Sequence, residues 1–225
     1  DAVEGFPAPN LARLYIDADA WPSAHQWDGR LESVANLRDS YRALPFKLTP
    51  GGETLIIGPR GGADLLAALA SGTRRVTAVE LNPLMIRFVR EYGPRAGNLY
   101  NRPDVEVVLS EGRNFISRTD RRFDVIFLGF VDTWASVNSG GLSLSENYLY
   151  TTEAFRAYYD HLTDDGVLVI LRWPTDTPRL VSNAVALLGV DEAAKRIVAL
   201  TERREGIRDN EAQMLFMLRK RPFTD

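Results

Sequence analysis

Residues 54–72 read TLIIGPRGGADLLAALASG, and this order predicts a strand, a glycine-rich turn and a helix. The apolar run 54–58 is typical of a strand that is buried on both faces. The helical stretch ends at Gly72, a residue type that commonly follows the last helical turn. Glycines in such a turn let the backbone pass close to a ligand, and the helix N-terminus offers free N–H groups. The spacing is not G-x-G-x-x-G, so the turn lacks the dinucleotide-binding fingerprint.

The same alternation of apolar runs and helical patterns continues along the chain. We predict further strands at 75–81, 105–109, 123–129 and 167–173, separated by helices at 82–92, 112–118, 151–162 and 178–188. Alternating strands and helices predict a parallel sheet with helices on both faces. The last two apolar runs, 196–202 and 212–220, have no helix between them and predict an antiparallel hairpin at one edge. The predicted fold class is therefore α/β: a Rossmann-like methyltransferase fold with a seven-stranded, mostly parallel sheet.

The first fifty residues have a different pattern. Scattered aromatics at 11–28 predict one or two short strands, and 31–43 predicts a short amphipathic helix that is closed by Pro45. We therefore predict two units, a small N-terminal appendage and a Rossmann-like domain, with the boundaries 1–50 and 51–225.

Composition excludes several classes of function. The chain has 225 residues, of which 45% are hydrophobic and 25% charged, as in ordinary soluble proteins. A net charge of -3 does not indicate a nucleic-acid binder, and the absence of cysteine excludes disulfides and thiolate metal sites. No metal site is predicted. No apolar run is long enough for a membrane span, so we predict a cytoplasmic location. The sequence begins with Asp1, and we expect it to be part of a longer chain.

Acidic residues stand at the predicted carboxyl ends of two strands. Glu80 ends the second strand about twenty residues after the glycine turn, where a carboxylate can accept hydrogen bonds from ribose hydroxyls. Ser110, Glu111 and Gly112 end the third strand at the same edge, where open α/β sheets bind their ligands. Three features at one edge predict an adenosine-containing ligand.

Four segments resemble the successive motifs of S-adenosylmethionine-dependent transferases: LIIGPRGGADLLAAL (55–69), VTAVELNP (76–83), VEVVLSEGRNFI (105–116) and FDVIF (123–127). The nearest resemblance is to the spermidine synthase-like branch, over about residues 30–175. SLSENYLYTTEAF (143–155) and LTDDGVLVILRW (162–173) resemble a subset of that branch whose members are often attached to membrane segments.

The resemblance implies S-adenosylmethionine, or its decarboxylated form, as the cofactor. It places Gly58, Gly61 and Gly62 around the amino-acid end of the cofactor, Glu80 on the ribose hydroxyls, and Glu111 with Gly112 beside the adenine. Two departures stand in the turn. Arg60 occupies a position where glycine is usual, and Gly61 occupies one where true spermidine synthases have an aspartate, for which we expect Asp64 to compensate.

The main departure from the branch follows the fourth strand. Spermidine synthases have a pair of aspartates there, and the first helps to deprotonate the attacking amine. In this chain Gly129 takes the first position, and only Asp132 matches the second. The missing carboxylate argues against aminopropyl transfer, so the sequence favours a methyltransferase with Asp132 as its catalytic residue. The alternatives are a polyamine aminopropyltransferase that uses decarboxylated S-adenosylmethionine, and a cofactor-binding module without catalysis.

Residues 130–150 form a long irregular segment, and a loop of this length within a domain is usually functional. We expect it to act as a lid that binds substrate. The predicted partners are a small-molecule acceptor, an attached membrane segment and a second copy in a homodimer, without nucleic acid. The candidate substrate residues are Trp134, Glu146, Tyr148 and Tyr150.

Overall fold

From residue 53 onward, strands alternate with helices along the chain. The computed structural model describes residues 11–13, 23–25, 27–131, 148–201 and 212–223. Its strands are β1 (Leu11–Arg13), β2 (Ser23–His25), β3 (Glu53–Ile57), β4 (Arg75–Glu80), β5 (Val105–Leu109), β6 (Phe123–Gly129), β7 (Leu162–Arg172), β8 (Ile197–Thr201) and β9 (Met214–Arg219). Its α-helices are α1 (Leu44–Leu48), α2 (Ala63–Ala70), α3 (Pro83–Glu91), α4 (Gly112–Arg118), α5 (Thr152–Asp160), α6 (Thr177–Leu188) and α7 (Val190–Arg196). Short 3₁₀ segments cover Leu31–Asp39, Tyr41–Ala43, Gly93–Arg95, Leu99–Asn101, Tyr148–Tyr150 and Pro174–Asp176.

In the described part of the chain, the main sheet has the strand order β5-β4-β3-β6-β7-β9-β8. Strands β3 to β7 pair in parallel, and β9 runs antiparallel to both β7 and β8. The predicted fold class, a Rossmann-like methyltransferase fold that closes with an antiparallel hairpin, is thus confirmed. The strand order changes direction between β3 and β6, and ligands of such sheets bind outside the carboxyl ends of the strands at this point. We call this end of the sheet the carboxyl edge.

The core has two layers, one on each face of the sheet. Successive side chains of a strand point to opposite faces, so Leu55 lies in one layer and Ile56 in the other. Phe46 of α1 stacks on Phe127 of β6, with ring centroids 5.9 Å apart. The other layer contains the aromatic side chains Phe155 and Tyr158 of α5.

Two predicted helix starts have the expected caps. The Asn82 side chain accepts a hydrogen bond from the Leu84 N–H at 2.9 Å, directly before Pro83. The Thr151 hydroxyl accepts one from the Ala154 N–H at 3.2 Å and starts α5. These caps fix where each helix leaves the carboxyl edge.

Some predicted boundaries are wrong. The segment predicted as a helix at 31–43 contains 3₁₀ turns, and Pro45 lies in the first turn of α1 instead of closing a helix. Proline fits there because the N–H groups of the first turn need no partner within the helix. Helix α7 was not predicted, and β7 begins at Leu162. The division into 1–50 and 51–225 stays a prediction.

Among the described residues, we find no helix with the length and apolar character that a membrane crossing requires.

Candidate functional site

The turn between β3 and α2 has three residues with left-handed backbone, Gly58 (φ 69°), Arg60 (φ 53°) and Gly62 (φ 90°). A Cβ built on Gly58 would overlap the Val131 side chain, and one on Gly62 would overlap Leu99. Both positions therefore require glycine for conformation and for space. The turn brings its backbone, including Gly61, to the carboxyl edge at the start of α2.

Arg60 adopts a backbone conformation that residues other than glycine rarely adopt, and hydrogen bonds from its side chain and to its carbonyl help to hold it. Its guanidinium donates to the Phe130 carbonyl at 2.8 Å, and the Tyr100 hydroxyl donates to the Arg60 carbonyl at 2.6 Å. Burial lowers the pKa of the Arg60 guanidinium, although attraction to Asp64 opposes the shift. Burial, reinforced by the charge of Glu80, raises the pKa of Tyr100 well above its ordinary value, so its hydroxyl remains a donor. The side chain of Arg60 thus connects the turn to the end of β6.

Replacing Tyr100 with phenylalanine tests this support. A hydrogen bond contributes about 0.5–1.5 kcal/mol to stability, so we expect the thermal unfolding midpoint to fall by roughly 1–6 °C. Tyr158→Phe is the matched control, because the buried Tyr158 hydroxyl has no hydrogen-bond partner among the described residues. Calorimetry of both variants checks the prediction, and equal midpoints would contradict it.

Glu80 is 6% exposed at the end of β4. One carboxylate oxygen accepts the Arg60 N–H at 3.2 Å, and the other accepts the Asn82 N–H at 2.9 Å. Each carboxylate oxygen can accept a second hydrogen bond, so two hydroxyl groups could still bind there. This arrangement suits the predicted ribose contact.

Glu111 and Gly112 lie at the end of β5, where α4 begins. Both carboxylate oxygens of Glu111 accept backbone N–H groups of α4, from Arg113 at 2.9 Å and Asn114 at 2.8 Å. A Cβ on Gly112 would lie 2.6 Å from the Ile57 side chain. The carboxylate therefore fixes the start of α4 beside the carboxyl ends of β4 and β5.

Three leucines beside these acids were missed by the sequence analysis. Leu81 is 63% exposed directly after Glu80, Leu84 is 67% exposed in the first turn of α3, and Leu109 is 57% exposed at the end of β5. Apolar side chains exposed together at a ligand-binding edge suit the face of an adenine ring. Two of the three could have been identified from the sequence, because Leu81 and Leu109 stand at the ends of neighbouring strands.

Asp64 lies in the first turn of α2 and is 8% exposed. Its Oδ1 accepts a hydrogen bond from the Arg42 guanidinium at 2.6 Å. Arg42 also donates to Gln213 Oε1 at 2.8 Å, and the Tyr41 hydroxyl donates to the same oxygen at 2.6 Å. Burial acts to lower the pKa of Arg42, but the charges and hydrogen bonds of Asp64 and Tyr41 together outweigh burial and raise the pKa above its ordinary value. The sequence analysis missed Arg42, Tyr41 and Gln213.

The other oxygen of Asp64 points toward β6. A Cβ built on Gly129 would overlap Asp64 Oδ2, and the Asp64 Cγ would be 3.3 Å away. The Asp64 carboxylate thus fills the space that a side chain at position 129 would enter.

The predicted substrate residues are divided by the structure. Trp134 and Glu146 lie outside the described residues, as does Asp132, the predicted catalytic residue. Tyr148 is 56% exposed, and the Arg113 guanidinium lies 5.9 Å from its ring centroid. Tyr150 is buried beneath the Arg172 guanidinium, which is 4.9 Å from the ring centroid. Tyr150 therefore packs into the core, whereas Tyr148 offers a ring to solvent.

The part of the chain that the structure describes has no cluster of three or more histidine, aspartate or glutamate side chains that could hold a metal ion.

A family model described as the spermine/spermidine synthase domain matches residues 48–179, more than half of the chain. The chain belongs to this family. The match includes the glycine turn, Asp64, Glu80, Glu111 and Gly129, whereas Arg42 and Gln213 lie outside it.

Curated relatives of this spermine/spermidine synthase-family chain are polyamine aminopropyltransferases. The protein from Thermotoga petrophila is 29% identical over 126 residues, which are 55% of this chain and 40% of the relative. The protein from Serratia proteamaculans is 27% identical over 152 residues, 67% of this chain and 46% of the relative. The chain thus spans less than half the length of these two relatives. Spermidine synthase from Thermotoga maritima has the same fold, with a TM-score of 0.62 and 18% identity over 95% of this chain and 74% of that chain.

Methyl transfer, which the sequence favoured, is the wrong choice for this spermine/spermidine synthase-family chain. The family match and the curated relatives favour aminopropyl transfer, the alternative. The sequence of β6 alone shows Gly129 as a position without a carboxylate. It does not show that Asp64 occupies the same space. The attached membrane segment, the homodimer and the cytoplasmic location stay predictions.

Proposed function

We propose that the chain is the catalytic domain of a polyamine aminopropyltransferase. It moves an aminopropyl group from decarboxylated S-adenosylmethionine to an amine acceptor. The observation that carries the proposal is the family match over residues 48–179, which spans the glycine turn and the acidic residues of the carboxyl edge.

The described residues fit an adenosine-containing donor. The turn at Gly58, Gly61 and Gly62 lies at the carboxyl edge, and Gly58 and Gly62 have the left-handed backbone that glycine adopts without strain. Glu80 retains acceptor capacity for two ribose hydroxyls. Glu111 and Gly112 border the adenine position beside the exposed leucines. The donor supplies a carbon made electrophilic by the adjacent sulfonium.

In this proposal the protein accelerates the reaction mainly by positioning the donor and the amine. Holding an amine in line with a reacting carbon replaces an encounter in solution, and good alignment is worth about 7–11 kcal/mol of the barrier. The Arg60 contact to Phe130 joins the donor side of the site to the end of β6. Tyr148 lies beside this edge as a candidate substrate contact, and Tyr150 supports it from below. Asp132, Trp134 and Glu146 stay candidates for the acceptor side.

One assay tests the function. The purified chain is incubated with decarboxylated S-adenosylmethionine and a panel of diamines and triamines, and 5′-methylthioadenosine is measured by chromatography. We expect amine-dependent release of methylthioadenosine. S-adenosylmethionine serves as the matched donor, with S-adenosylhomocysteine as the measured product.

Two outcomes would contradict the proposal. Product only from the intact donor would place the chain among methyltransferases. No product from either donor, with binding of methylthioadenosine retained, would identify a binding module without catalysis.

A further inference from the structure

The space beside Gly129 at the end of β6 is filled from another element. Gly129 has no left-handed backbone, so its conformation does not require glycine. Because glycine has no side chain, there is room here for the Asp64 carboxylate. Its Oδ2 lies where the Cβ of a larger residue at position 129 would be. Strands β3 and β6 are neighbours, and Asp64 follows β3 by one turn. A carboxylate therefore stands at the end of β6 although β6 does not carry it.

The two oxygens of this carboxylate have different surroundings. Oδ1 accepts the 2.6 Å hydrogen bond from Arg42. No described residue donates a hydrogen bond to Oδ2. A carboxylate oxygen that is largely removed from water is costly unless a donor meets it. Asp64 is 8% exposed, so Oδ2 is an acceptor that a ligand can satisfy.

Two other described acids at this edge, Glu80 and Glu111, hold adjoining backbone with both carboxylate oxygens, and the capacity that Glu80 retains is assigned to the ribose. Both oxygens of Glu80 accept backbone N–H groups of the adjoining turns, and both oxygens of Glu111 accept N–H groups of α4. Among the described residues at the carboxyl edge, Asp64 thus has the carboxylate oxygen best placed to receive a proton.

We propose that Asp64 Oδ2 binds the attacking amine of the acceptor and takes its proton. This assignment rests on the proposed aminopropyl transfer. The ammonium form of the acceptor gives a proton to Oδ2, which frees the nitrogen lone pair. The nitrogen then bonds to the propyl carbon next to the sulfonium, and the carbon–sulfur bond breaks with its electron pair left on sulfur. The proton leaves Asp64 to water, and the product amine and neutral methylthioadenosine depart.

Two described cations lie near Asp64. Arg42, in the segment before α1, forms an ion pair with Asp64. Arg60 interacts with Asp64 from the glycine turn, and the charge of Glu80 also acts on Arg60. Nearby positive charge disfavours the ammonium form of a bound amine. Arg42 holds Oδ1 in place, and this leaves Oδ2 to point at the acceptor.

Kinetics of Asp64→Asn against the wild type test the role. General-base assistance typically contributes about 10²–10⁴-fold, so we expect kcat/KM for the amine to fall by at least about a hundredfold at pH 7. The deficit should narrow toward pH 10, where an alkyl amine loses its proton to water without help. Asp124→Asn is the matched control, because Asp124 lies at the opposite end of β6 and accepts hydrogen bonds from the Glu53 N–H and the Thr163 hydroxyl. We expect the control to retain kcat/KM within about threefold.

Moving the carboxylate from position 64 to position 129 distinguishes a catalytic role of the carboxylate from a role in stability. Asp64→Ala leaves space at the end of β6, and Gly129→Asp then restores a carboxylate from the strand. We expect the double variant to regain at least tenfold of the kcat/KM that Asp64→Ala loses. A folded double variant without any recovery would overturn the assignment, as would an Asp64→Asn enzyme with wild-type kcat/KM.

Calorimetric titration of putrescine into the methylthioadenosine-bound protein gives a readout without turnover. Binding that weakens at least tenfold in Asp64→Asn supports the amine site. Absence of putrescine binding to the wild type overturns it. If binding follows this pattern but the wild type releases no methylthioadenosine, the proposed function fails and the amine site stands.

Discussion

Arg42→Met is expected to lower the free energy of unfolding by about 3 kcal/mol, because it leaves the buried Asp64 carboxylate without its partner. Breaking a buried ion pair from one side typically costs about 3–5 kcal/mol. The lower end applies because 23% of the Arg42 side chain reaches solvent. The contact to Gln213 is lost as well. For a protein of this size, the thermal midpoint should fall by roughly 6–12 °C.

A double variant identifies the cause of this loss. Arg42→Met with Asp64→Leu removes both charges, and apolar replacement of a whole buried pair is often neutral. We expect the double variant to recover most of the lost stability in denaturant unfolding. A surface pair, Arg87 with Glu91, provides the control, and Arg87→Met should change stability by less than about 1 kcal/mol. Equal effects of Arg42→Met and Arg87→Met would contradict the buried-pair interpretation.

Glu80→Ala is expected to weaken the binding of methylthioadenosine by about ten- to a hundredfold. Hydrogen bonds to a charged group contribute about 1.5–3 kcal/mol, and the variant removes the proposed acceptor of the ribose hydroxyls. The turn also loses the carboxylate that joins the Arg60 and Asn82 N–H groups. Isothermal titration calorimetry measures the dissociation constant directly.

A second ligand distinguishes loss of the ribose contact from disturbance of the glycine turn. 2′-Deoxy-methylthioadenosine lacks one hydroxyl, so the wild type should bind it more weakly, whereas Glu80→Ala should bind the two nucleosides alike. Glu91→Ala, an exposed glutamate on α3, is the control that should bind as the wild type does. A Glu80→Ala protein that still discriminates between the nucleosides would show that another group contacts the ribose.

Most of the sheet was predictable because its central strands are buried on both faces. Apolar runs such as 105–109 and 123–129 stand between clear turn residues, and the structure places strands at these same positions. Helix α7 escaped prediction because its sequence, VDEAAKR, is polar and short and buries only Ala193. Pro45 was misread because proline both ends and begins helices, and only the packing of Phe46 on Phe127 decides between the two.

The site was only partly predictable, because some residues that contact each other in the site lie far apart in the sequence. Glu80 and Glu111 follow strands, so their positions follow from strand order. The Asp64–Arg42 pair joins residues that no motif connects, and the Gln213 contact comes from just before the last strand. The position of the Asp64 carboxylate beside Gly129 leaves no trace in either segment read alone, because it depends on how the start of α2 lies against the end of β6.

The Arg42–Gln213 hydrogen bond spans 171 positions of sequence. Contacts of such separation require nearly the whole chain to be ordered before they form, since closing a long loop costs entropy that local pairing does not. The glycine turn and the ends of β3 and β4 can assemble from residues close in sequence. We therefore expect the residues proposed to bind the nucleoside to assemble early in folding. The contacts that hold Arg42 against Asp64 should form last, when β9 joins the sheet.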